Sequence, residues 1–344
     1  FGLGLRPRPG PVAISALLQL AVAVPLYAAS RAAAARLSPP GAPASRRAKA
    51  LALGADLALA AVGLPCVLVS ATLHRPQGTL EPAAVGIDWP SEPVAFRGAG
   101  GTELRGLWFA NPGARGLLVL THGIGAEKAQ FLPWVEAAYR RGYHVFAYDQ
   151  RNHGESSGAT VTFGLVEADD AAFAWAEALR RAGPCEGPRV LWGVSLGGAA
   201  LQAAAPGLEG VDGLVLDSTF ADIADVARRW LPLGPASRAV VALAARPAAW
   251  LLTGRDALGA EPLRAASEPA GYRVLLLHSR ADPLVPFEHA ERLARAYGGR
   301  ARLVAFDGQG HPSTRPSDRR GYDQALEGFL LELERRRAAR PGAP

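Results

Sequence analysis

The hydrophobic and polar positions of this chain change character along its length. Residues 11–30 carry no charge, and the run 12–30 is about 19 residues long, close to the ~20 a helix needs to cross a bilayer. A second apolar run, residues 51–73, is broken only by Asp56 near its start and contains Pro65. Arg31, Arg36, Arg46, Arg47 and Lys49 lie between the runs, with a Pro/Gly/Ser cluster from Ser38 to Ser45 that reads as a turn. Two apolar helices joined by a basic loop predict a transmembrane hairpin, so residues 1–75 are read as a membrane anchor with helices at about 11–30 and 51–73. The alternatives are a signal peptide followed by one span or a buried helix, and alanine-rich soluble helices. The loop is more basic than the segment before it, which carries Arg6 and Arg8. The positive-inside rule therefore puts the loop in the cytoplasm and the downstream domain outside it.

Residues 76–92 hold several prolines and little periodicity, and are expected to be a linker. From residue 93 to 344 the pattern alternates between strand and helix. Val94–Phe96 and Glu103–Ala110, separated by Gly98–Gly101, predict an antiparallel hairpin. Gly116–Thr121 is a continuous apolar run, as in a strand buried on both faces. Tyr143–Tyr148, Arg189–Trp192, Val211–Leu216, Arg273–Leu277 and Ala301–Phe306 read as further strands. Phe131–Arg141, Val166–Arg181 and Tyr322–Arg337 read as helices. This alternation predicts an α/β fold, with a mostly parallel central sheet and helices on both faces. About 55 residues separate Asp217 from Arg273, too many for an ordinary crossover. They contain the apolar helical runs Val226–Leu233 and Arg238–Leu252, and residues 218–272 are read as a helical cap.

Composition narrows the function less than the pattern does. The 344 residues are 49% hydrophobic and carry a formal charge of +6. Nucleic acid is excluded as a partner: the only lysines are Lys49 and Lys128, and the arginines are scattered among acidic residues. Cys66 and Cys185 fall in no C-x-x-C or Cys/His cluster, so no metal site or disulfide framework is expected.

The chemistry centres on Gly193-Val194-Ser195-Leu196-Gly197, which follows one predicted strand and precedes a run of small residues. In that context G-x-S-x-G is a nucleophile elbow, exposing the Ser195 hydroxyl at a helix N-terminus where free N–H groups favour negative charge. A lone serine is a poor nucleophile, because its proton must leave as it attacks. His311, in Gly308-Gln309-Gly310-His311 after the last strand, is the candidate base. Asp282, just past the strand Arg273–Leu277, is the candidate acid that orients it, and Asp217 is the competing acid. The oxyanion donors are expected to be the Leu196 and Ile124 N–H groups. Ile124 lies in the loop Thr121-His122-Gly123-Ile124-Gly125, where His122, Gly123 and Gly125 support the turn.

From Pro93 onward the chain resembles the α/β-hydrolases. The resemblance rests on the H-G-x-G loop at His122–Gly125, Asp149-Gln150-Arg151-Asn152-His153-Gly154-Glu155-Ser156 against the family pattern D-x-R-G-H-G-x-S, the elbow, Asp282 and His311. The order Ser195, Asp282, His311 is the nucleophile–acid–base order of that fold. Membrane-anchored serine hydrolases with an N-terminal apolar segment are the nearest likeness. Asn152 and Ser279 each stand where the family pattern has glycine. Asparagine tolerates a positive φ, whereas Ser279 bears on the turn that carries Asp282. Asp149 and Arg151 are read as a structural turn beside the site. The resemblance implies a serine hydrolase acting on carboxylic esters, with hydrophobic acyl esters suggested by the membrane and no cofactor. A peptidase or acyltransferase on the same triad, and a non-catalytic membrane-tethered binding protein, remain as alternatives.

Overall fold

The computed structural model describes residue 46 and residues 80–230, 249–250 and 253–339. The expected transmembrane hairpin lies outside the described residues, apart from Arg46 in its loop. Among the described residues, no helix is long and apolar enough to cross a membrane.

Eight strands form one sheet in the order β1-β2-β4-β3-β5-β6-β7-β8. They are β1 (Glu92–Arg97), β2 (Glu103–Phe109), β3 (Gly116–Thr121), β4 (Tyr143–Tyr148), β5 (Arg189–Val194), β6 (Gly213–Asp217), β7 (Arg273–Ala281) and β8 (Ala301–Gln309). The β1–β2 hairpin and the β2–β4 pair are antiparallel, and β3 through β8 pair in parallel. All six residues of β3 are buried, because side chains alternate across a sheet covered on both faces. Leu118 and Leu120 join Trp192 in one core cluster, while Leu117 and Val119 join Leu191 in the other.

The helices whose whole span is described are α1 (Glu136–Arg140), α2 (Val166–Ala182), α3 (Leu196–Ala204), α4 (Ile223–Trp230), α5 (Leu263–Ala266), α6 (Phe287–Tyr297), α7 (Thr314–Ser317) and α8 (Arg319–Ala338). In α8, Asp318 caps the start by accepting from Gly321 N–H at 2.8 Å. Tyr322, Leu326, Phe329, Leu330 and Leu333 form the stripe it buries, each leucine or phenylalanine contributing about 1.5–3 kcal/mol. The expected helix over 131–141 is divided: Pro133 sits in a 3-10 turn, Leu132–Val135, and only α1 is α-helical.

The expected linker differs from the structure in its later part. Pro82–Val85 form a 3-10 turn, Ile87 is buried, and Trp89 stacks on Tyr139 at 4.1 Å and makes a T-shaped contact with Phe109. One turn and one aromatic anchor leave no repeating pattern to read. Within 218–272, α4, the 3-10 turn Ala257–Gly259 and α5 are described, and residues 231–248 lie outside the described residues.

Candidate active site

Ser195 stands between β5 and α3 with φ 49° and ψ −113°, a strained conformation for a residue with a side chain. Two close approaches enforce it. A Cβ on Gly197 would lie 2.3 Å from Thr121 O, and one on Gly193 would lie 2.6 Å from Gly198 N. The strand, the turn and the helix therefore pack backbone against backbone. Leu196 is the first residue of α3, so its N–H has no acceptor inside the helix.

His311 Nε2 lies 2.9 Å from Ser195 Oγ, and its Nδ1 lies 2.7 Å from Asp282 Oδ2. The other carboxylate oxygen of Asp282 accepts the Leu284 and Val285 amides, each at 2.9 Å. One oxygen is thus tied to its own turn and the other is presented to the imidazole. A carboxylate only accepts, so Nδ1 carries the proton and Nε2 faces the serine as an acceptor. Asp217, the competing acid, bonds elsewhere: its carboxylate accepts from Thr314 and Ser218.

Ser279 is fully buried on β7, and its backbone is not in the left-handed region. Its hydroxyl donates to Phe306 O at 3.3 Å and to Gly308 O, both on β8, whose end leads to His311. Where the family pattern has glycine, this chain has a hydrogen bond between the acid-bearing strand β7 and β8, the strand that precedes His311. Burial lowers the pKa of nearby His278, whose Nε2 donates to Val285 O at 2.8 Å.

The loop carrying Ile124 passes alongside the elbow: a Cβ on Gly123 would lie 3.5 Å from Ser195 Cβ. The segment 149–156 holds this loop from behind. Burial pulls His122 down to about 4, so the ring is neutral. Its Nδ1 donates to Gly123 O at 2.7 Å, and its Nε2 accepts Gln150 N–H at 3.0 Å. Gly125 N–H donates to His153 Nε2 at 3.0 Å. Lys128 N–H and ammonium both donate to Asp149, at 2.7 and 2.8 Å, and the ammonium also reaches Glu155 at 2.6 Å. Burial alone would lower the Lys128 pKa, but Asp149 and Glu155 outweigh it and raise it. Arg151 forks onto Asp170 through Nε at 2.6 Å and Nη2 at 2.7 Å, and Asn152 holds φ 60°. The sequence reading missed Lys128. Its signal was its rarity, one of two lysines in an arginine-rich chain, and a compact ammonium is suited to a site between two carboxylates.

Known proteins resemble this chain in sequence and in fold. The family described as serine aminopeptidase, S33, matches residues 112–258, and that described as TAP-like protein matches residues 243–340. Together the two matches give residues 112–340 a sequence similarity to α/β-hydrolases. It is 29% identical over 255 residues to the uncharacterized protein YfhR of Escherichia coli K12, covering 71% of this chain and 81% of that one. It is 31% identical over 160 residues to the lysophosphatidylserine lipase ABHD12 of Danio rerio, covering 44% of this chain and 39% of that one. Among solved structures it is similar to an esterase of Pyrococcus furiosus, with TM-score 0.63, 20% identity, and 76% and 98% of the two chains covered. The Est1E structure from Butyrivibrio proteoclasticus with bound ferulic acid superposes with TM-score 0.53 at 19% identity, over 70% and 98% of the two chains.

Among the described residues, no group of His, Cys, Asp and Glu side chains is arranged to hold a metal ion. Cys185 is buried and free, and Cys66 lies outside the described residues.

Proposed function

We propose that the protein is a serine hydrolase of carboxylic esters with apolar acyl groups, working through an acyl-enzyme. The observation that carries the reading is the continuous hydrogen-bonded line from Ser195 Oγ through His311 to Asp282. Ser195 Oγ attacks the ester carbonyl while His311 Nε2 takes its proton, and Asp282 stabilises the imidazolium. The negative charge on the carbonyl oxygen is met by the Leu196 and Ile124 N–H groups, each worth about 100- to 1000-fold in rate. His311 returns the proton to the leaving alcohol. Water, deprotonated by His311, then releases the acid and regenerates Ser195.

The ester preference rests on what surrounds the serine. Leu196 belongs to an apolar cluster with Phe163, Phe220, Ile223 and Val285, and Ile124 packs against it. Carbon, rather than charge, borders the nucleophile. An aminopeptidase must also hold a substrate ammonium, and two of the cap's aspartates, Asp222 and Asp225, are engaged within the protein. Asp222 accepts the Ala224 N–H at 2.7 Å, and Asp225 pairs with Arg292 at 2.6 Å.

The test is fluorophosphonate labelling of the 344-residue chain beside Ser195→Ala, followed by turnover of p-nitrophenyl esters of increasing acyl length. Labelling confined to the parent, with turnover that rises with acyl length before it falls, is the expected result. A folded parent that neither labels nor turns over any ester would overturn the reading.

A further inference from the structure

Asp217 is the last residue of β6 and lies beside Val194 in the β5–β6 register. The mechanism above leaves its carboxylate unused, yet the group is central to the site. Its backbone carbonyl accepts the Ser195 N–H at 2.8 Å. The Thr314 hydroxyl straddles its carboxylate at 2.9 and 2.8 Å, and Ser218 Oγ donates to it at 2.9 Å. Thr314 follows His311 by three residues and opens α7. The Tyr322 hydroxyl stands beside the same carboxylate and accepts from Trp192 Nε1 at 3.2 Å. Trp192 precedes Ser195 by three residues, so the contacts form a circuit behind the nucleophile and the base. Asp217, Ser218, Thr314, Tyr322 and Trp192 are all fully buried.

A carboxylate in such a place costs free energy that an apolar side chain would not. The cost is visible in its acidity: burial pushes the carboxyl up to about 7, despite the donors around it. A group kept at that cost is explained by what it holds in register. Asp282 already occupies His311 Nδ1, so Asp217 acts one step away.

We propose that Asp217 is a positioning residue: through Thr314 it fixes the His311 loop against the elbow that its own carbonyl holds at Ser195. The proposal rests on the reading of Ser195 and His311 as nucleophile and base. The relevant variants are Asp217→Asn, Thr314→Val and Thr314→Ser. Thr314→Val keeps the volume and loses the hydroxyl, whereas Thr314→Ser restores it.

Two readouts separate the proposal from the hydrolase reading itself. The first is ester kinetics: kcat falls about 10- to 100-fold in Asp217→Asn and Thr314→Val with KM unchanged, and Thr314→Ser recovers most of it. The second is the downfield proton NMR resonance of His311 Nδ1, assigned by its loss in His311→Gln, which needs no turnover. It is expected sharp in the parent and in Thr314→Ser, and broadened or absent in Thr314→Val and Asp217→Asn. A resonance unchanged in both of those variants, or missing from the parent, overturns the proposal. If Asp217→Asn does not fold, Thr314→Val carries the same decision. A parent that neither labels nor turns over any ester, yet whose resonance still broadens in Thr314→Val, would sink the hydrolase reading while showing that Asp217 and Thr314 still order the His311 loop.

Discussion

Ser279 is the residue at which this chain departs most usefully from the pattern it resembles. Its hydroxyl, buried between β7 and the end of β8, reaches Phe306 O and Gly308 O. Ser279→Ala removes the donor and leaves both carbonyls to find another partner. The expected cost is about 1–2 kcal/mol in urea denaturation, with ester turnover retained. A variant as stable as the parent would show that the hydroxyl contributes nothing to stability. The sequence identified Ser279 as a substitution and linked it to the Asp282 turn. Its actual partner, Gly308, lies 29 residues away and is reached only because β7 and β8 pair with a register shift beyond Ser279. His122 is easier to read: a histidine in a loop with two glycines predicts a support for the backbone. The ring bonds Gly123 O and Gln150 N–H.

Among the elements, the elbow was the most legible, because its demand is local. Gly193 and Gly197 are small because β3, β5 and α3 meet there with no room for a Cβ. Gly197→Ala would put a methyl 2.3 Å from Thr121 O and 2.4 Å from His122 O, backbone atoms that cannot rotate away. The helix must then shift from the loop carrying Ile124. We expect a loss of about 1–3 kcal/mol, read as a lower thermal midpoint, with fluorophosphonate labelling slowed in the protein that remains folded. Wild-type stability and labelling would show that the approach is looser than described. The strands of the parallel region were legible as short apolar runs. The ends of β7 and β8 were not: both continue to Ala281 and Gln309, because pairing between neighbours sustains polar residues that the pattern alone assigns to a loop. In 131–141 the apolar spacing suggested one helix, and Pro133 instead favoured a 3-10 turn.

For the whole molecule, buried titratable groups predict how stability follows pH. Burial pulls His122 and His289 down to about 4, against an ordinary value near 6.5. As pH falls from 6.5 toward 4, the unfolded chain takes up protons that the folded one refuses, so stability falls. Asp217 works the other way: folded it titrates at about 7 against an ordinary 3.8, so it costs stability as pH rises from 4 to 7. The two terms oppose each other across pH 4–6.5. Relative to the parent, His289→Gln is expected to flatten the acid loss of stability, and Asp217→Asn to steepen it. Urea denaturation between pH 4.5 and 7 checks both, and parallel curves for all three proteins would sink the account. By itself, the sequence determined the alternation of strand and helix, the elbow around Ser195, and His311 in its glycine-rich turn as the candidate base, because each is encoded by neighbouring residues. Only the tertiary structure decided that His311 meets Asp282 and not Asp217, that Lys128 joins Asp149 to Glu155, and that residues 80–89 pack on the domain. Those outcomes depend on distances between strands far apart in the chain, which the register of the sheet sets and no local pattern records.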